Sequence, residues 1–255
     1  MIRLKKTSKA FIAVILIGYI IVLIGVSSIG YLVFAGLENE ALLDKEFEEL
    51  DYLINNYDLD NNNIDRKLNS YVTEDDYLVV ERAIKNYWKE VVKNCRRLDD
   101  IYDNYELYLV LSFSNFYIDA PNFTSSLNII DASIADLEEV KNNLLYLYDK
   151  DTIISYIENY NLDQYFIDYY KDLMIDEEVL KTSIKEIENS INYSTSALQI
   201  YDELFLLLQK NQHLWYLGDD GYIYFDDDNL LNEYNRLIYL IENIDFSNTN
   251  IEQNI

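Results

Sequence analysis

Apolar residues recur at every third or fourth position along most of this 255-residue chain, the spacing that places them on one face of an α-helix. Only six glycines and one proline interrupt the pattern, so the chain is poor in residues that break helices. The spacing predicts helices with short connections over residues 42–57, 76–117, 124–148, 176–214 and 230–244, with shorter helices within residues 153–174. We therefore predict an all-α fold, an antiparallel bundle of long helices.

The longest predicted helix begins after residue 73. Thr73 and Asp76 have the spacing of a capping box, in which two side chains satisfy the free backbone groups of a helix start. Residues 107–118 of this helix are apolar nearly all round but too few to span a bilayer. We expect them to be the most buried part of the bundle.

One uninterrupted apolar run marks the N-terminus. Residues 10–37 contain no charged residue and exceed the ~20 residues that a membrane-spanning helix needs. Arg3, Lys5, Lys6 and Lys9 precede the run and acidic residues follow it, so the positive-inside rule places the N-terminus in the cytoplasm and the rest outside. A cleaved signal peptide is the alternative, but its apolar region is usually only about 7–15 residues long. The pattern predicts an uncleaved, single-pass signal anchor in the plasma membrane.

These patterns divide the chain into five segments. We predict a cytoplasmic N-terminus at residues 1–9, the transmembrane anchor at 10–37, a stalk helix and loop at 38–72, a helical-bundle ectodomain at 73–245 and a frayed tail at 246–255. No second transmembrane segment is evident in the sequence. The bulk of the chain is therefore expected outside the cytoplasm.

The charge of the extracytoplasmic part is strongly negative. All 46 acidic residues follow Leu37, whereas four of the 20 basic residues precede it, so the part outside carries a formal charge of −30. Nucleic-acid binding needs a basic surface that neutralises phosphates, which excludes nucleic acid as a partner. An acidic surface instead attracts cations or a basic protein or peptide.

The chain has one cysteine and one histidine, Cys95 and His213. These counts exclude an intramolecular disulfide and a zinc site built from Cys and His ligands. Cys95 occupies an apolar position, so we expect a buried, inert thiol. No nucleophile motif surrounds His213, and Lys210 stands where a Glu-x-x-His motif requires glutamate. We therefore expect a packed or hydrogen-bonded histidine, no catalytic residue and no enzymatic activity.

One aspartate- and asparagine-rich segment resembles the start of a calcium loop. In DLDNNNID, Asp58, Asp60 and Asn62 occupy the positions of the first three oxygen ligands. The match then fails, because Asn63 stands where the loop needs glycine and Asn69 where a bidentate glutamate closes the site. We expect no cofactor, with calcium at these three residues as the alternative.

The segment HLWYLGDDGYIYFDDDN, residues 213–229, departs from the helical pattern. Two aromatic, β-prone triplets flank a Gly-Asp-Asp-Gly turn, which predicts a short hairpin near residues 215–225 between the last two long helices. The following aspartates are candidates to cap the last helix. We consider the aromatic and acidic side chains here a candidate ligand or partner patch, formed by Trp215, Tyr216, Asp219, Asp220, Tyr222, Tyr224, Asp226, Asp227 and Asp228.

Two short fragments resemble known families. The passage IGVSSIGYLVFAGLENEALL looks like the first transmembrane segment of bacterial chemoreceptors and sensor kinases with helical ectodomains, but their second membrane helix and signalling module have no counterpart here. Trp215-Tyr216-Leu217 with Asp220-Gly221 and Tyr222 is similar to one repeat of choline-binding cell-wall modules. Those modules build each ligand box from neighbouring repeats, and the chain carries one copy. The second resemblance therefore implies an aromatic hairpin without a choline site.

These observations favour an interaction or sensing function. We expect a membrane-anchored, acidic, extracytoplasmic helical protein that binds a protein or peptide partner. The alternatives are a structural component of an envelope or surface assembly and, less favoured by the residues, a hydrolase that uses paired carboxylates. Carboxylates are so frequent in this chain that their pairing does not indicate catalysis.

Overall fold

The computed structural model describes residues 37–56, Leu59 and residues 62–243. The described residues are mostly helical with one two-stranded antiparallel sheet, so the predicted all-α class with a hairpin near residues 215–225 is confirmed. The elements are, in chain order, α1 Leu37–Asn56, α2 Asn62–Asn69, α3 Asp75–Tyr102, α4 Tyr105–Val110, α5 Asn115–Ile118, α6 Thr124–Leu147, α7 Lys150–Glu158, α8 Gln164–Met174, α9 Glu177–Lys210, β1 Trp215–Leu217, β2 Ile223–Phe225 and α10 Asp228–Glu242.

The described residues form two compact units. The first unit comprises the described residues up to 99 together with residues 140–188, and the second comprises residues 100–139 and 189–243. The boundaries between the units fall within α3, α6 and α9.

The core of the first unit follows the predicted helical spacing. α1 buries Leu43, Leu50 and Ile54, which are seven and four residues apart and therefore share one face. α3 buries the seam that its sequence predicts: Val80, Ile84, Tyr87, Val91, Val92, Cys95 and Leu98. The breaks predicted near residues 149–152 and 161–163 are also found: α6 ends at Leu147 and α7 begins at Lys150, and α7 ends at Glu158 and α8 begins at Gln164.

The start of α3 differs from the predicted capping box. Thr73 is buried, and its hydroxyl donates a 2.7 Å hydrogen bond to Glu81. The helix begins at Asp75, whose φ of 53° lies in the left-handed region. The capping box predicted that residue 76 and Thr73 cap the helix start together. Instead, the Thr73 hydroxyl bonds to Glu81, which lies five residues beyond residue 76 along the chain.

The helix predicted over residues 76–117 is wrong, because α3 ends at Tyr102. The Asn104 side chain accepts hydrogen bonds from the backbone of Glu106 and Leu107 and so starts a separate helix, α4. The prediction that residues 107–118 are the most buried segment is also wrong, since Tyr117 and Ile118 are 61% and 67% exposed. A local cap thus overrides an apolar spacing that continues across the break.

The second unit is built around α6, α9 and the hairpin. α9 buries the predicted seam residues Ile191, Leu198, Phe205 and Leu208. These residues pack in the same unit as a group of aromatic rings from α5, from the start of α6 and from β1, which is described below.

The membrane anchor is not tested by this structure. Among the described residues, no helix combines the length and the hydropathy needed to cross a membrane. Residues 1–36, which include all but the last residue of the predicted span, lie outside the described part. The anchor, its orientation and the five-segment division remain predictions.

Candidate functional site

The hairpin is shaped by two glycines. Gly218 pairs with Tyr222 through a 2.8 Å backbone bond, and the three-residue loop between them is closed by the bond from the Gly221 N–H to the Gly218 carbonyl. Gly221 has a φ of +81°, which L-residues rarely adopt and which a three-residue hairpin loop requires. A Cβ on Gly218 would lie 2.6 Å from the Tyr224 ring. Both glycines of the Gly-Asp-Asp-Gly turn are therefore needed for this loop.

The inner face of the hairpin is anchored by Trp215. Its indole is buried, and the Nε1–H donates a 2.8 Å hydrogen bond to the Leu208 carbonyl. The indole stacks on Phe123 with ring centroids 6.0 Å apart, and Phe123 in turn stacks on Phe205 at 4.9 Å. Phe116 meets all three rings edge to face. The hairpin therefore rests on a packed aromatic core.

The outer face of the hairpin carries a pair of stacked tyrosines. Tyr216 and Tyr224 are cross-strand partners, and their rings lie 5.2 Å apart at an angle of 15°. They are 54% and 42% exposed, whereas Trp215, one residue away on the opposite face, is 7% exposed. Period-two alternation thus separates the anchor from the exposed rings. We call Tyr216 and Tyr224 the tyrosine pair.

Asp220 holds the tyrosine pair in place. Its carboxylate accepts hydrogen bonds from the Tyr224 hydroxyl at 2.6 Å and from the Tyr222 backbone N–H at 3.2 Å. The hydrogen bond from Tyr224 lowers the pKa of Asp220, and the same bond raises the pKa of Tyr224. At neutral pH the carboxylate is therefore ionised and the phenol protonated, which is the state that this bond requires.

The nine residues of the predicted patch have different positions. Trp215 belongs to the core, Asp227 caps α10 by accepting a 2.8 Å bond from the Leu230 N–H, and Tyr222 is half-buried. Asp219, Asp226 and Asp228 are exposed. None of these three carboxylates forms an ion pair with another described residue. The tyrosine pair with Asp219, Asp220, Asp226 and Asp228 forms the surface that we call the hairpin face.

Sequence reasoning missed the contribution of α5 beside this face. The Tyr117 hydroxyl lies 2.9 Å from the position that a Cβ would take on Gly221. Tyr117 is exposed, so a further tyrosine lies beside the hairpin loop. The helical spacing placed Tyr117 in the core of one continuous helix. Recognising that Asn104 caps a new helix would have been the signal that this assignment fails.

A second cluster of charged residues lies buried in the first unit. Lys85 is fully buried and forms 2.7 Å contacts with Glu46, with Glu81 and with the Ser70 carbonyl. Lys67 also contacts Glu46. Burial raises the pKa of Glu81, but bonds from Lys85, Thr73 and Val72 outweigh it and hold that pKa below its usual range. Each charged side chain of this cluster contacts one of opposite sign, as is typical of an ion network that stabilises a fold.

A group of tyrosines in the first unit gathers around Glu40. The hydroxyls of Tyr77 and Tyr165 both donate to its carboxylate. Tyr77 meets Phe166 and Tyr169 edge to face with centroids 5.0 and 6.0 Å apart. These rings pack directly against one another, so the tyrosine-rich stretch of α8 forms packing contacts here.

An open depression of about 490 Å³ lies between α1 and α2. Its lining includes Glu48, Glu49, Tyr52, Arg66 and Lys67. Lys67 pairs with Glu49 at its rim. The depression combines both signs of charge on an open surface, and its side chains do not converge on one kind of ligand.

The cysteine and the histidine have different surroundings. Cys95 is buried as predicted, and burial raises the pKa of its thiol to about 12, so it remains protonated at neutral pH. Of the two alternatives predicted for His213, packed or hydrogen-bonded, the packed one is wrong, because His213 is exposed in the turn after α9.

The calcium prediction remains untested. Asp58 and Asp60 lie outside the described residues, and Asn62 is the exposed first residue of α2. Among the residues that the structure describes, no group of three or more His, Cys, Asp or Glu side chains is arranged to hold a metal ion.

Comparisons of the chain with protein-family models, with curated proteins and with solved structures found no match.

Proposed function

We propose that this protein is a membrane-anchored, extracytoplasmic interaction module that binds a basic segment of a protein or peptide at its hairpin face. The observation that carries the proposal is the exposed, stacked tyrosine pair, fixed on a hairpin that the buried Trp215 anchors. Exposed aromatic rings on a rigid support are typical of the residues that dominate binding at interfaces. Here the support is formed before any partner binds.

The charge near the tyrosine pair favours a cationic partner. Asp219, Asp226 and Asp228 are exposed, lie within about five residues of Tyr224 in the chain and form no ion pair among the described residues. An arginine guanidinium can stack on a tyrosine ring and at the same time pair with a carboxylate. The hairpin face offers both contacts within a few residues of chain.

The same charge disfavours assembly of identical copies. Two extracytoplasmic parts of formal charge −30 repel each other, so a basic partner fits the hairpin face better than a second copy of this chain.

The proposal also includes the predicted N-in anchor and an antiparallel arrangement of the long helices, with no catalytic activity. The anchor would keep the hairpin face at the outer surface of the membrane.

A titration with a defined basic peptide tests the proposal. The full-length protein in phosphatidylcholine nanodiscs is titrated calorimetrically with an acetylated, amidated heptapeptide of alternating threonine and arginine, which begins and ends with threonine. Replacing both rings, Tyr216→Ser with Tyr224→Ser, should weaken binding by about tenfold, since each exposed cation–π contact contributes roughly 0.5–1 kcal/mol.

The matched control replaces two exposed tyrosines elsewhere in the second unit, Tyr105→Ser and Tyr239→Ser. This variant keeps the same net charge and loses the same number of rings, so it should bind like the original protein. Equal affinity of the two double variants would contradict the proposal, as would failure of the unmodified protein to bind the peptide.

A further inference from the structure

We propose that the basic partner binds as an extended strand that pairs with the free edge of β1 and so extends the two-stranded sheet. This inference rests on the proposed function and deepens it, because it specifies the backbone conformation of the partner and its position beside the tyrosine pair. The contact combines main-chain hydrogen bonds with side-chain recognition, as other strand-addition complexes do.

The register of the hairpin determines which backbone groups face outward. The bonds from Gly218 to Tyr222 and from Asp226 to Leu214 identify hydrogen-bonded pairs at both ends of the ladder. Such pairs alternate with pairs that are not bonded across the ladder. Trp215 and Leu217 on β1, and their partners on β2, therefore direct their N–H and C=O groups away from the hairpin.

The outward backbone groups of both strands form no hydrogen bond within the described part of the chain, so the neighbouring elements decide which edge is available to a partner. Among the described residues, none forms a hydrogen bond with the backbone N–H or C=O of Leu217 or Trp215. Leu217 is half-buried whereas Trp215 is only 7% exposed, so Leu217 is the more accessible position on this edge. The edge of β2 differs, because α10 packs beside that strand and the Tyr234 ring of α10 contacts Phe225 at 4.9 Å. An unpaired strand edge is a template for another strand. We therefore assign the edge of β1 to the partner.

The surroundings of this edge specify the side chains of the partner. A strand added there lies about 4.8 Å from β1, and its alternate side chains share the outer face with Tyr216. Cationic side chains at these positions reach the tyrosine pair and the carboxylates of the hairpin face. The intervening side chains point towards the inner face, beside Leu217. The partner is thus an extended segment with Lys or Arg at every second position.

Backbone methylation separates strand pairing from side-chain docking. Two versions of the heptapeptide carry N-methyl groups on all threonine nitrogens or on all arginine nitrogens, and they are titrated against the full-length protein. In an extended strand these two sets of N–H groups point to opposite sides, so only one set can pair with β1. The two methylated peptides should differ in affinity by about tenfold or more, since about two hydrogen bonds are lost in only one of them. Greater sensitivity of the threonine set indicates an antiparallel partner strand.

Two proline variants of the protein give a matched pair. Leu217→Pro removes the outward N–H of the β1 edge, and Ile223→Pro removes the corresponding group of the β2 edge. Neither substitution removes a bond within the hairpin, and proline is tolerated on strand edges. Melting curves from far-ultraviolet circular dichroism check that both variants remain folded. Leu217→Pro should weaken binding of the unmodified peptide by about fivefold, the value of one hydrogen bond, whereas Ile223→Pro should leave it unchanged.

The outcomes distinguish the two proposals. If both methylated peptides bind with equal affinity and Leu217→Pro has no effect, strand pairing is overturned. In that case the proposed function still stands if replacement of the tyrosine pair weakens binding. If the unmodified peptide does not bind the unmodified protein, both proposals fail.

Discussion

At the residue scale, Lys85 belongs to a buried ion network that the spacing of apolar residues along the chain does not predict. Its side chain is fully buried between Glu46 and Glu81, and its ammonium also donates to the Ser70 carbonyl. A lysine is almost never fully buried unless it is paired. Its two carboxylate partners lie 39 and 4 residues away, and the distant one becomes a neighbour only when α1 packs beside α3. The sequence predicts the apolar seam of α3 but not the ion network beside it.

Removing the Lys85 charge should destabilise the fold strongly. Lys85→Met leaves Glu81 buried without its cation, which typically costs about 3–5 kcal/mol. Lys93→Met is the control, because Lys93 forms an exposed pair with Glu90, and such pairs contribute at most about 1 kcal/mol. Urea unfolding of the full-length protein in detergent, followed by circular dichroism, measures both variants.

A compensating variant separates the charge effect from lost packing. Lys85→Met combined with Glu81→Leu removes both charges, while Glu46 keeps its contact with Lys67. This double variant should recover part of the stability lost in Lys85→Met. Equal stability of Lys85→Met and Lys93→Met would show that the buried network does not contribute as described.

At the element scale, capping residues decide where helices begin. The spacing of apolar residues predicted α6 and approximated α9 and α10, and the Gly-Asp-Asp-Gly turn between β-prone triplets predicted the hairpin. Apolar spacing alone is a weaker guide. It failed at residue 104, where apolar positions continue but Asn104 caps a new helix. The sequence made Asp227 both a cap candidate and a member of the binding patch; the cap is confirmed, because the Asp227 carboxylate accepts from the Leu230 N–H. The sequence alone does not distinguish Asp226, Asp227 and Asp228. Only the backbone conformation at the start of α10 determines that Asp227 is the residue that caps the helix.

Because Asp227 caps α10 and Asp226 is exposed, replacing each should affect a different property: stability for Asp227 and peptide affinity for Asp226. Asp227→Ala should reduce the free energy of unfolding by about 1 kcal/mol, the usual contribution of an N-cap, and leave peptide affinity nearly unchanged. Asp226→Ala should leave stability unchanged and weaken peptide binding, because its exposed carboxylate belongs to the hairpin face. Urea unfolding and calorimetric titration of both variants give the four values. Weaker binding in Asp227→Ala alone would contradict these assignments.

At the scale of the whole molecule, the predicted location depends on the sequence before residue 38 and on the contrast of charge across it. Four basic residues precede the long apolar run and the −30 part follows it, which predicts the N-in orientation. This prediction uses hydropathy and charge counts and needs no tertiary contact. The proposed partner surface, by contrast, rests on the alternation of buried and exposed residues in the hairpin.

The lone cysteine allows a direct test of the orientation. Cys95 is buried and its thiol stays protonated, so a membrane-impermeant maleimide should not label the unmodified protein in intact cells. Ser125→Cys, at an exposed position of the second unit, should be labelled in intact cells. Ser8→Cys should be labelled only after the cells are permeabilised. The reverse labelling pattern would show that the orientation is wrong.

Hydrogen–deuterium exchange of the full-length protein, with and without the threonine–arginine heptapeptide at physiological ionic strength, tests the central claim most directly. Salt screens long-range attraction to the acidic surface, so protection from exchange reports the specific contact. We predict slower exchange confined to residues 214–226, and its loss when Tyr216 and Tyr224 are both replaced by serine. Unchanged exchange in residues 214–226, or equal protection across other acidic segments, would contradict the assignment of the hairpin face as the binding surface.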